Sequence, residues 1–208
     1  MIALEQDGAR WTVTLNRPDK ANSLTKAMLR ELEVIVAEAD RAEVAALILT
    51  GTGTVFSAGA DLDEARAGLA TDGIWERVSG RIAGLKGMTV AALNGTLAGG
   101  AFGMALACDI RLAVPEAKFF YPVMKLGFLP QPSDPGRLAA LVGPARAKLI
   151  LMGGAKITAD EALAFGLVER VVPRDDLMGA VDALVADAVA AQPGPRAAIK
   201  AMCAAPLG

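Results

Sequence analysis

The sequence predicts an α/β fold, which three stretches of the chain indicate. Residues 11–16 and 45–50 are strand-like, and residues 25–40 between them have the spacing of a helix. A strand, a helix and a further strand in that order predict a βαβ crossover, in which the helix covers a sheet. Residues 89–107 add a strand, a glycine pair and a second helical segment. We expect a single domain spanning residues 1–208.

Hydrophobic periodicity justifies each early element. Residues 11–16 alternate apolar and polar side chains, as in a half-buried strand. The helix over residues 25–40 has an apolar face formed by Met28, Leu29, Leu32, Ile35, Val36 and Ala39. Residues 45–50 are short, apolar and strand-like. A later helix is predicted to present a second apolar face, formed by Ile74, Trp75, Val78, Ile82 and Leu85.

The last third of the chain is predicted to be helical. Residues 144–152 and 177–191 have helical patterns, and the first of these stops at a glycine pair. Thr158 and Glu161 are predicted to form a capping box at the start of a short helix that ends at Gly166.

Composition limits the classes of function. The 21 basic and 23 acidic residues give a net charge of −2 without a basic cluster, so nucleic acid is not an expected partner. No apolar run is long enough to span a bilayer, and the N-terminus has no basic-then-apolar signal region, so no membrane association is expected. Cys108 and Cys203 form no disulfide framework or metal motif, which favours a reduced, cytoplasmic setting.

The absence of histidine narrows the chemistry further. It excludes Ser-His-Asp and Cys-His catalysis, imidazole general bases and the usual zinc sites, and we expect no metal site. Any proton transfer must therefore fall to carboxylates, Tyr121, lysines, cysteines or water.

Gly99 and Gly100 lie between an apolar run and a helical segment. The first amide groups of a helix have no partner within it, and glycine lets a ligand oxygen approach them closely. The pair can therefore form half of an oxyanion hole, which stabilises charge on a carbonyl oxygen. An equally good interpretation is that the glycines allow tight packing of helix against strand.

A second glycine-rich loop spans residues 51–62. It lacks the Gly-Lys-Ser/Thr ending of a P-loop and the spacing of a dinucleotide fingerprint, which argues against phosphate binding of either kind. Asp61 followed by Glu64 is typical of a helix N-cap with its reciprocal partner. Ala60 comes just before that cap, and Gly59 allows the loop to bend so that the Ala60 amide points away from the fold.

Three blocks of the chain resemble the crotonase superfamily, that is, the enoyl-CoA hydratase/isomerase family. They are residues 15–24 (LNRPDKANSL), residues 49–62 (LTGTGTVFSAGADL) and residues 94–109 (NGTLAGGAFGMALACD). Their order and spacing match the family, and the likeness continues through residues 153–172. The resemblance implies a crotonase-like spiral of repeated ββα units.

The resemblance also implies a ligand, a coenzyme A thioester, with coenzyme A entering as part of the substrate and no separate cofactor. Carried over by position, the two amides that polarise the thioester carbonyl belong to Ala60 and Gly100. The same likeness implies that the Lys20-Ala21 turn and the loop of residues 58–62 hold the coenzyme, so that Lys20, Ala21, Ala58, Asp61 and Leu62 are substrate-binding. Lys20 is equally well interpreted as a solvated turn residue.

Two departures from the family concern acid–base chemistry. Hydratases of the family carry glutamates at the positions of Gly103 and Val123 in this chain, and both are missing here. Since hydration needs positioned acid–base groups, ordinary hydratase activity is not expected. Gly103 itself predicts close packing, or else room for a bulkier acyl group.

Three other residues are candidates for moving a proton. Asp134 precedes a proline at a predicted helix start, which favours a cap, although it is also a candidate catalytic residue. Gln131 can orient a water or a carbonyl. Tyr121 follows two phenylalanines and is more typical of a core residue with a satisfied hydroxyl.

Together these features predict an acyl-CoA enzyme of fatty acid metabolism with altered chemistry, an isomerase, lyase or hydrolase that works through an oxyanion hole. The alternatives are a non-catalytic acyl-CoA-binding protein and a structural subunit that keeps only the fold. The family forms trimers, which implies a homotrimer. Its C-terminal helices are expected to be shortened here, with a frayed stub beginning near Arg196.

Overall fold

Two sheets and their connecting helices make up the computed structural model, which describes residues 1–204. The strands are β1 (Ile2–Asp7), β2 (Arg10–Leu15), β3 (Ala46–Gly51), β4 (Val55–Ser57), β5 (Met88–Leu93), β6 (Thr96–Ala98), β7 (Ile110–Ala113), β8 (Lys118–Phe120), β9 (Ile157–Thr158) and β10 (Arg170–Val171). The helices are α1 (Lys26–Arg41), α2 (Leu62–Arg66), α3 (Ile74–Gly84), α4 (Phe102–Ala107), α5 (Val123–Leu126), α6 (Asp134–Val142), α7 (Pro144–Leu151), α8 (Ala159–Phe165), α9 (Leu177–Ala190) and α10 (Pro193–Ala204).

The larger sheet has six strands in the order β1-β2-β3-β5-β7-β10. Only the β1–β2 pair is antiparallel, and the remaining neighbours run parallel. The smaller sheet has the order β4-β6-β8-β9, with β9 antiparallel to β8. The predicted crossover is confirmed, because α1 connects β2 to β3 along the chain and these two strands pair in parallel.

The chain repeats one structural unit three times. In each repeat a strand enters the larger sheet, a short strand enters the smaller one, and a helix follows. The strand pairs are β3 with β4, β5 with β6, and β7 with β8. This arrangement confirms the α/β class and the spiral of ββα units.

Both predicted apolar helix faces are buried. All six apolar residues predicted for the face of α1 are buried. The five predicted for the second face are buried as well, four of them in α3 and the fifth, Leu85, just after it. Burying a side chain of this size contributes about 1.5–3 kcal/mol. Helix α3 packs between α1 and α4, and α9 covers β3, β5 and β7 on the larger sheet.

Local cap predictions had mixed outcomes. Thr158 and Glu161 form the expected capping box of α8, and Gly166 ends that helix in the left-handed conformation. Asp61 caps α2 as predicted, but Glu64 is not its reciprocal partner. Its Oε2 accepts the Lys26 N–H at 2.6 Å, so that Glu64 caps α1 instead. The prediction from local spacing was wrong here because the start of α1 lies within reach of the Glu64 carboxylate.

The expected stub near Arg196 is also wrong. Helix α10 begins at Pro193 and continues to Ala204. The Arg196 guanidinium donates to a carbonyl of α9 at 3.0 Å, and Lys200 lies 2.8 Å from the Asp109 carboxylate. These contacts stabilise the helix beyond its own propensity, which is how most helices in proteins persist.

Two negative findings apply to residues 1–204. No helix in that range combines the length and apolar character needed to cross a membrane. No group of three or more histidine, cysteine, aspartate or glutamate side chains there is placed to hold a metal ion.

Candidate active site

The loops that follow β4 and β6 lie against each other. Their strands are parallel neighbours in the smaller sheet, so both loops leave the same edge. Gly59 has φ of +92°, and a Cβ there would come within 2.9 Å of the Ala98 carbonyl oxygen and 3.3 Å of the Gly100 nitrogen. A side chain at Gly59 would therefore push the two loops apart. Glycine is required at this position both for its positive φ and for the close approach of the loops.

Main-chain pairing orients the Ala60 amide. The Leu24 N–H donates to the Gly59 oxygen at 2.7 Å, and the Asp61 N–H donates to the Leu24 oxygen at 2.9 Å. Ala60 lies between these two bonds in a parallel bridge with Leu24. Since successive groups of an extended chain point to opposite sides, the Ala60 N–H points away from Leu24. Ala60 lines a cavity on that side.

Gly100 lines the same cavity from the second loop. It lies in the 3-10 turn Gly99–Ala101 that leads into α4. A Cβ at Gly100 would lie 3.3 Å from the ring of Trp75, whose indole nitrogen is fixed by a 2.8 Å hydrogen bond to the Leu69 oxygen. Gly100 is therefore closely packed, but against Trp75 of α3 and not as helix against strand. The close packing leaves Gly100 in the cavity lining, so it does not exclude the oxyanion-hole interpretation.

The cavity has a volume of about 130 Å³. Sites for whole drug-sized ligands are usually at least twice as large, so this cavity fits a small group rather than an entire coenzyme. Tyr121 and Gln131 are lining residues with polar side chains, whereas Trp75 and Val123 are mainly apolar. Large apolar side chains line its outer part and are exposed, namely Leu62, Leu126, Phe128 and Leu129.

Two of the five predicted coenzyme-binding residues, Ala58 and Leu62, line the cavity, and Leu62 is 70% exposed. Lys20, Ala21 and Asp61 are not part of the lining. Lys20 is exposed, and the neighbouring Ala21 carbonyl accepts the Ala58 N–H at 3.0 Å. This bond fixes the turn to the first amide loop.

The side chain of Asp61 makes contacts that hold the fold together. Its carboxylate accepts a hydrogen bond from Arg17 at 2.8 Å and also caps α2. The Arg17 hydrogen bond lowers the pKa of Asp61 below its ordinary value, and the capping amides of α2 act in the same direction. Asp61 therefore stays ionised at neutral pH and positions the loop that carries Ala60.

Asp134 is not the helix cap that its sequence context favours. The residue at the N-cap position is Ser133, and Glu76 accepts the Ser133 N–H at 2.9 Å. Asp134 is the first residue of α6 and is only 1% exposed. Its Oδ2 accepts a hydrogen bond from the Tyr121 hydroxyl at 2.9 Å. Among residues 1–204, its Oδ1 has no hydrogen-bond partner.

Burial determines the ionisation of Asp134. Loss of solvent raises its pKa from 3.8 to about 7, although the hydrogen bond from Tyr121 opposes the rise. The nearby Glu76 raises the pKa further, and Arg137 lowers it. Burial and the Asp134 charge also raise the pKa of Tyr121, so that its hydroxyl stays protonated. Asp134 can therefore gain or lose a proton near neutral pH.

Gly103 provides the space that the Asp134 carboxylate occupies. A Cβ at Gly103 would lie 2.8 Å from Asp134 Oδ1. The predicted close packing at Gly103 is confirmed, and its partner is a carboxylate. By the resemblance, a hydratase glutamate would project from this position. Here a carboxylate from α6 fills the space beside it.

The link between Tyr121 and Asp134 is the feature that sequence reasoning missed. Tyr121 is buried with a satisfied hydroxyl, as predicted, but it also lines the cavity. Gln131 lines the cavity too, and its side-chain nitrogen donates to the Ala70 oxygen at 3.1 Å. Thirteen residues separate Tyr121 from Asp134, and no periodic pattern brings such a pair together.

Comparisons with known proteins agree with this architecture. The family model described as enoyl-CoA hydratase/isomerase matches residues 6–207. A short-chain-enoyl-CoA hydratase of Clostridium acetobutylicum is 38% identical over 184 residues, which cover 85% of this chain and 70% of that protein.

Solved structures give the same result. An enoyl-CoA hydratase of Bacillus anthracis superimposes with a TM-score of 0.90 at 32% identity, covering 97% of this chain and 81% of that one. Subunit I of an enoyl-CoA hydratase from Geobacillus kaustophilus HTA426 gives a TM-score of 0.88 at 35% identity, covering 97% and 80%. The chain therefore belongs to the enoyl-CoA hydratase/isomerase family.

Proposed function

We propose that this protein is an enzyme acting on an acyl-CoA thioester, whose carbonyl oxygen accepts hydrogen bonds from the Ala60 and Gly100 amides. The observation that carries the proposal is the contact between the two amide loops at one cavity. Amides fixed in this way stabilise the negative charge that an enolate or a tetrahedral intermediate places on the oxygen, which is worth several kcal/mol. Isomerisation, lyase chemistry and thioester hydrolysis all pass through such a charge.

The shape of the site supports a short acyl group. A cavity of about 130 Å³ holds the thioester and a few carbons, while the coenzyme extends outward. The exposed apolar side chains around the mouth fit the pantetheine arm. Lys20, in the exposed turn bonded to Ala58, is placed to meet a phosphate. Coenzyme A enters as part of the substrate, and the proposal needs no other cofactor.

A second candidate function is acyl-CoA binding without turnover. The observation that favours it is that Gly103 and Val123 give the cavity no acid–base group where the hydratases have glutamates. A protein of this kind would keep both amides and hold the thioester unchanged.

Substitution of Gly100 tests the proposal. In Gly100→Val the added side chain meets Trp75 and fills the space beside the amide, so we expect turnover of a panel of short acyl-CoA thioesters to fall by at least about a hundredfold. The matched control is Gly80→Val in α3, where a Cβ meets no atom within 4 Å.

Calorimetry and turnover on the same panel distinguish the two functions. Tight binding without turnover in the unmodified protein supports the second candidate. Failure to bind any acyl-CoA, or full activity of Gly100→Val with its fold intact by circular dichroism, contradicts the proposal.

A further inference from the structure

We propose that Tyr121 and Asp134 form a proton relay between the cavity and the interior, replacing the glutamates that the chain lacks. Tyr121 is assigned as the catalytic residue of this relay, acting at the carbon next to the thioester carbonyl, because it lines the same cavity as Ala60 and Gly100. Asp134 is a positioning residue that exchanges protons with that hydroxyl. The relay rests on the proposed acyl-CoA function and adds its acid–base chemistry.

The hydroxyl of Tyr121 has the right partners for a relay. Tyr121 lines the cavity that Ala60 and Gly100 also line. Its ring stacks on Phe102 at a centroid distance of 5.4 Å, which fixes the direction of the hydroxyl. The hydroxyl donates to Asp134 at 2.9 Å and accepts the Gln131 N–H at 3.4 Å. A phenol oxygen has two acceptor lone pairs, so one of them remains for the substrate.

The surroundings of Asp134 have no evident structural purpose other than this contact. Its Oδ1 is buried without a hydrogen-bond partner among residues 1–204, an arrangement that destabilises a fold. The Asp134 carboxylate makes no capping bond in α6, where Ser133 is the N-cap residue and donates its N–H to Glu76. Gly103 gives the carboxylate its room, since a side chain there would meet Oδ1 at 2.8 Å.

Charged groups on the neighbouring elements shift the pKa of Asp134. Glu76 on α3 favours the protonated form of Asp134, whereas Arg137 on α6 and the Tyr121 hydroxyl favour the ionised form. Burial dominates, and the resulting pKa of about 7 lets Asp134 take a proton and return it near neutral pH.

The relay balances without another reactant. A C–H bond at the α-carbon breaks, and its electron pair forms the enolate, whose oxygen charge is held by the Ala60 and Gly100 amides. The released proton passes to the Tyr121 oxygen while the hydroxyl proton of Tyr121 passes to Asp134 Oδ2. Return of the proton to the α-carbon restores the thioester. In a β,γ-unsaturated thioester, return to the γ-carbon instead moves the double bond.

Hydrogen exchange at the α-carbon tests the relay directly. The protein is incubated with butyryl-CoA in D2O, and deuterium at the α-carbon is measured by mass spectrometry across pH 5–9. We expect exchange in the unmodified protein, and at least about a hundredfold slower exchange in Tyr121→Phe, which keeps the ring but loses the hydroxyl. Calorimetry is expected to show a dissociation constant for butyryl-CoA that changes by less than about threefold.

Two further variants separate a relay from a purely structural contact. In Asp134→Asn the exchange is expected to slow by at least about tenfold and to lose its pH dependence near neutrality. In Glu76→Gln, which keeps an acceptor for Ser133, the midpoint of the pH profile is expected to move to lower pH, because a negative neighbour of Asp134 is removed.

Several outcomes overturn the relay. One is an exchange rate in Tyr121→Phe equal to that of the unmodified protein, and another is a pH profile of exchange that neither Asp134→Asn nor Glu76→Gln changes. Binding of butyryl-CoA without any exchange in the unmodified protein refutes the relay and leaves the acyl-CoA proposal standing. Absence of binding refutes both.

Discussion

Asp134 shows how strongly its surroundings determine the behaviour of one side chain. Local sequence gives it the pattern of a helix cap, and an exposed aspartate before proline would act as one. Ser133 is the N-cap residue instead, and its N–H donates to Glu76 on α3. The carboxylate of Asp134 is left inside the protein with Tyr121 as its donor. A buried carboxylate favours its protonated form, so the position carries a cost to stability that depends on pH.

The first prediction concerns the stability of Asp134→Asn as pH changes. Between about pH 4 and pH 7 the folded state keeps the Asp134 proton while the unfolded chain loses it, so the free energy of unfolding decreases as pH rises. The decrease amounts to roughly 4 kcal/mol at most, and the asparagine variant should not show it. Urea unfolding at pH 5 and pH 8 measures the difference. Equal pH dependence in both proteins would show that Asp134 titrates normally.

The second prediction concerns Gly103→Ala. Alanine is normally favoured over glycine in a helix by about 1 kcal/mol, but here its methyl group would lie 2.8 Å from Asp134 Oδ1. The carboxylate must move, and we expect a net loss of about 1–3 kcal/mol. The control is Gly80→Ala in α3, where nothing lies within 4 Å and the unfolding free energy should rise. Stabilisation of both variants would contradict the packing described at Gly103.

At the scale of elements, the two amide loops depend on short strands. Strands β4 and β6 have three residues each, yet their parallel pairing sets the positions of Gly59 and Gly100. A loop bonded to its neighbour in this way has few alternative conformations, which favours a fixed direction for its amides.

The third prediction concerns Gly59→Ala. The substitution forces a side chain into a positive φ and against the Ala98 oxygen at 2.9 Å. The control Gly68→Ala shares the positive φ, at +108°, but meets no atom within 4 Å. Gly68→Ala should therefore lose about 1 kcal/mol, and Gly59→Ala should lose at least 1 kcal/mol more, together with acyl-CoA binding. Equal unfolding free energies in the two variants would show that the loops are not in contact.

Sequence reasoning recovered the helices that have a clear apolar face or cap, and it missed the shortest strands. The apolar faces of α1 and α3 repeat over several turns, so their periodicity is readable, and both were buried as expected. Strands β4, β6 and β8 are too short for any period to emerge. The smaller sheet was therefore implied only by the family likeness. The partners of Glu64 and Asp134 are Lys26 on α1 and Tyr121 just after β8, which are distant in the chain, so local capping patterns cannot show them.

At the scale of the whole molecule, the fold places the two cysteines at opposite extremes of solvent exposure. Cys108 follows α4 and is buried, and Cys203 lies in α10 and is exposed. Burial raises the pKa of Cys108 to about 12, with nearby Arg111 acting in the opposite direction. The thiol of Cys108 is therefore uncharged and shielded, which makes it a poor nucleophile.

The fourth prediction is that thiol labelling distinguishes the two cysteines. With an aromatic disulfide reagent at pH 8, one thiol per chain should react within seconds to minutes, and the second only after unfolding in guanidinium. Cys203→Ser should abolish the fast reaction, and Cys108→Ala should leave it unchanged. Fast labelling of two thiols in the folded protein would contradict the burial of Cys108.

Main-chain bonds orient the Ala60 amide, because Leu24 pairs with the residues on either side of it. Side chains around the cavity can then be exchanged without disturbing the amide that we propose receives the carbonyl. In that proposal the main chain holds the carbonyl, and the side chains determine which reaction follows. A redesign that moves the carboxylate from position 134 to position 103 would therefore leave the proposed carbonyl site unchanged.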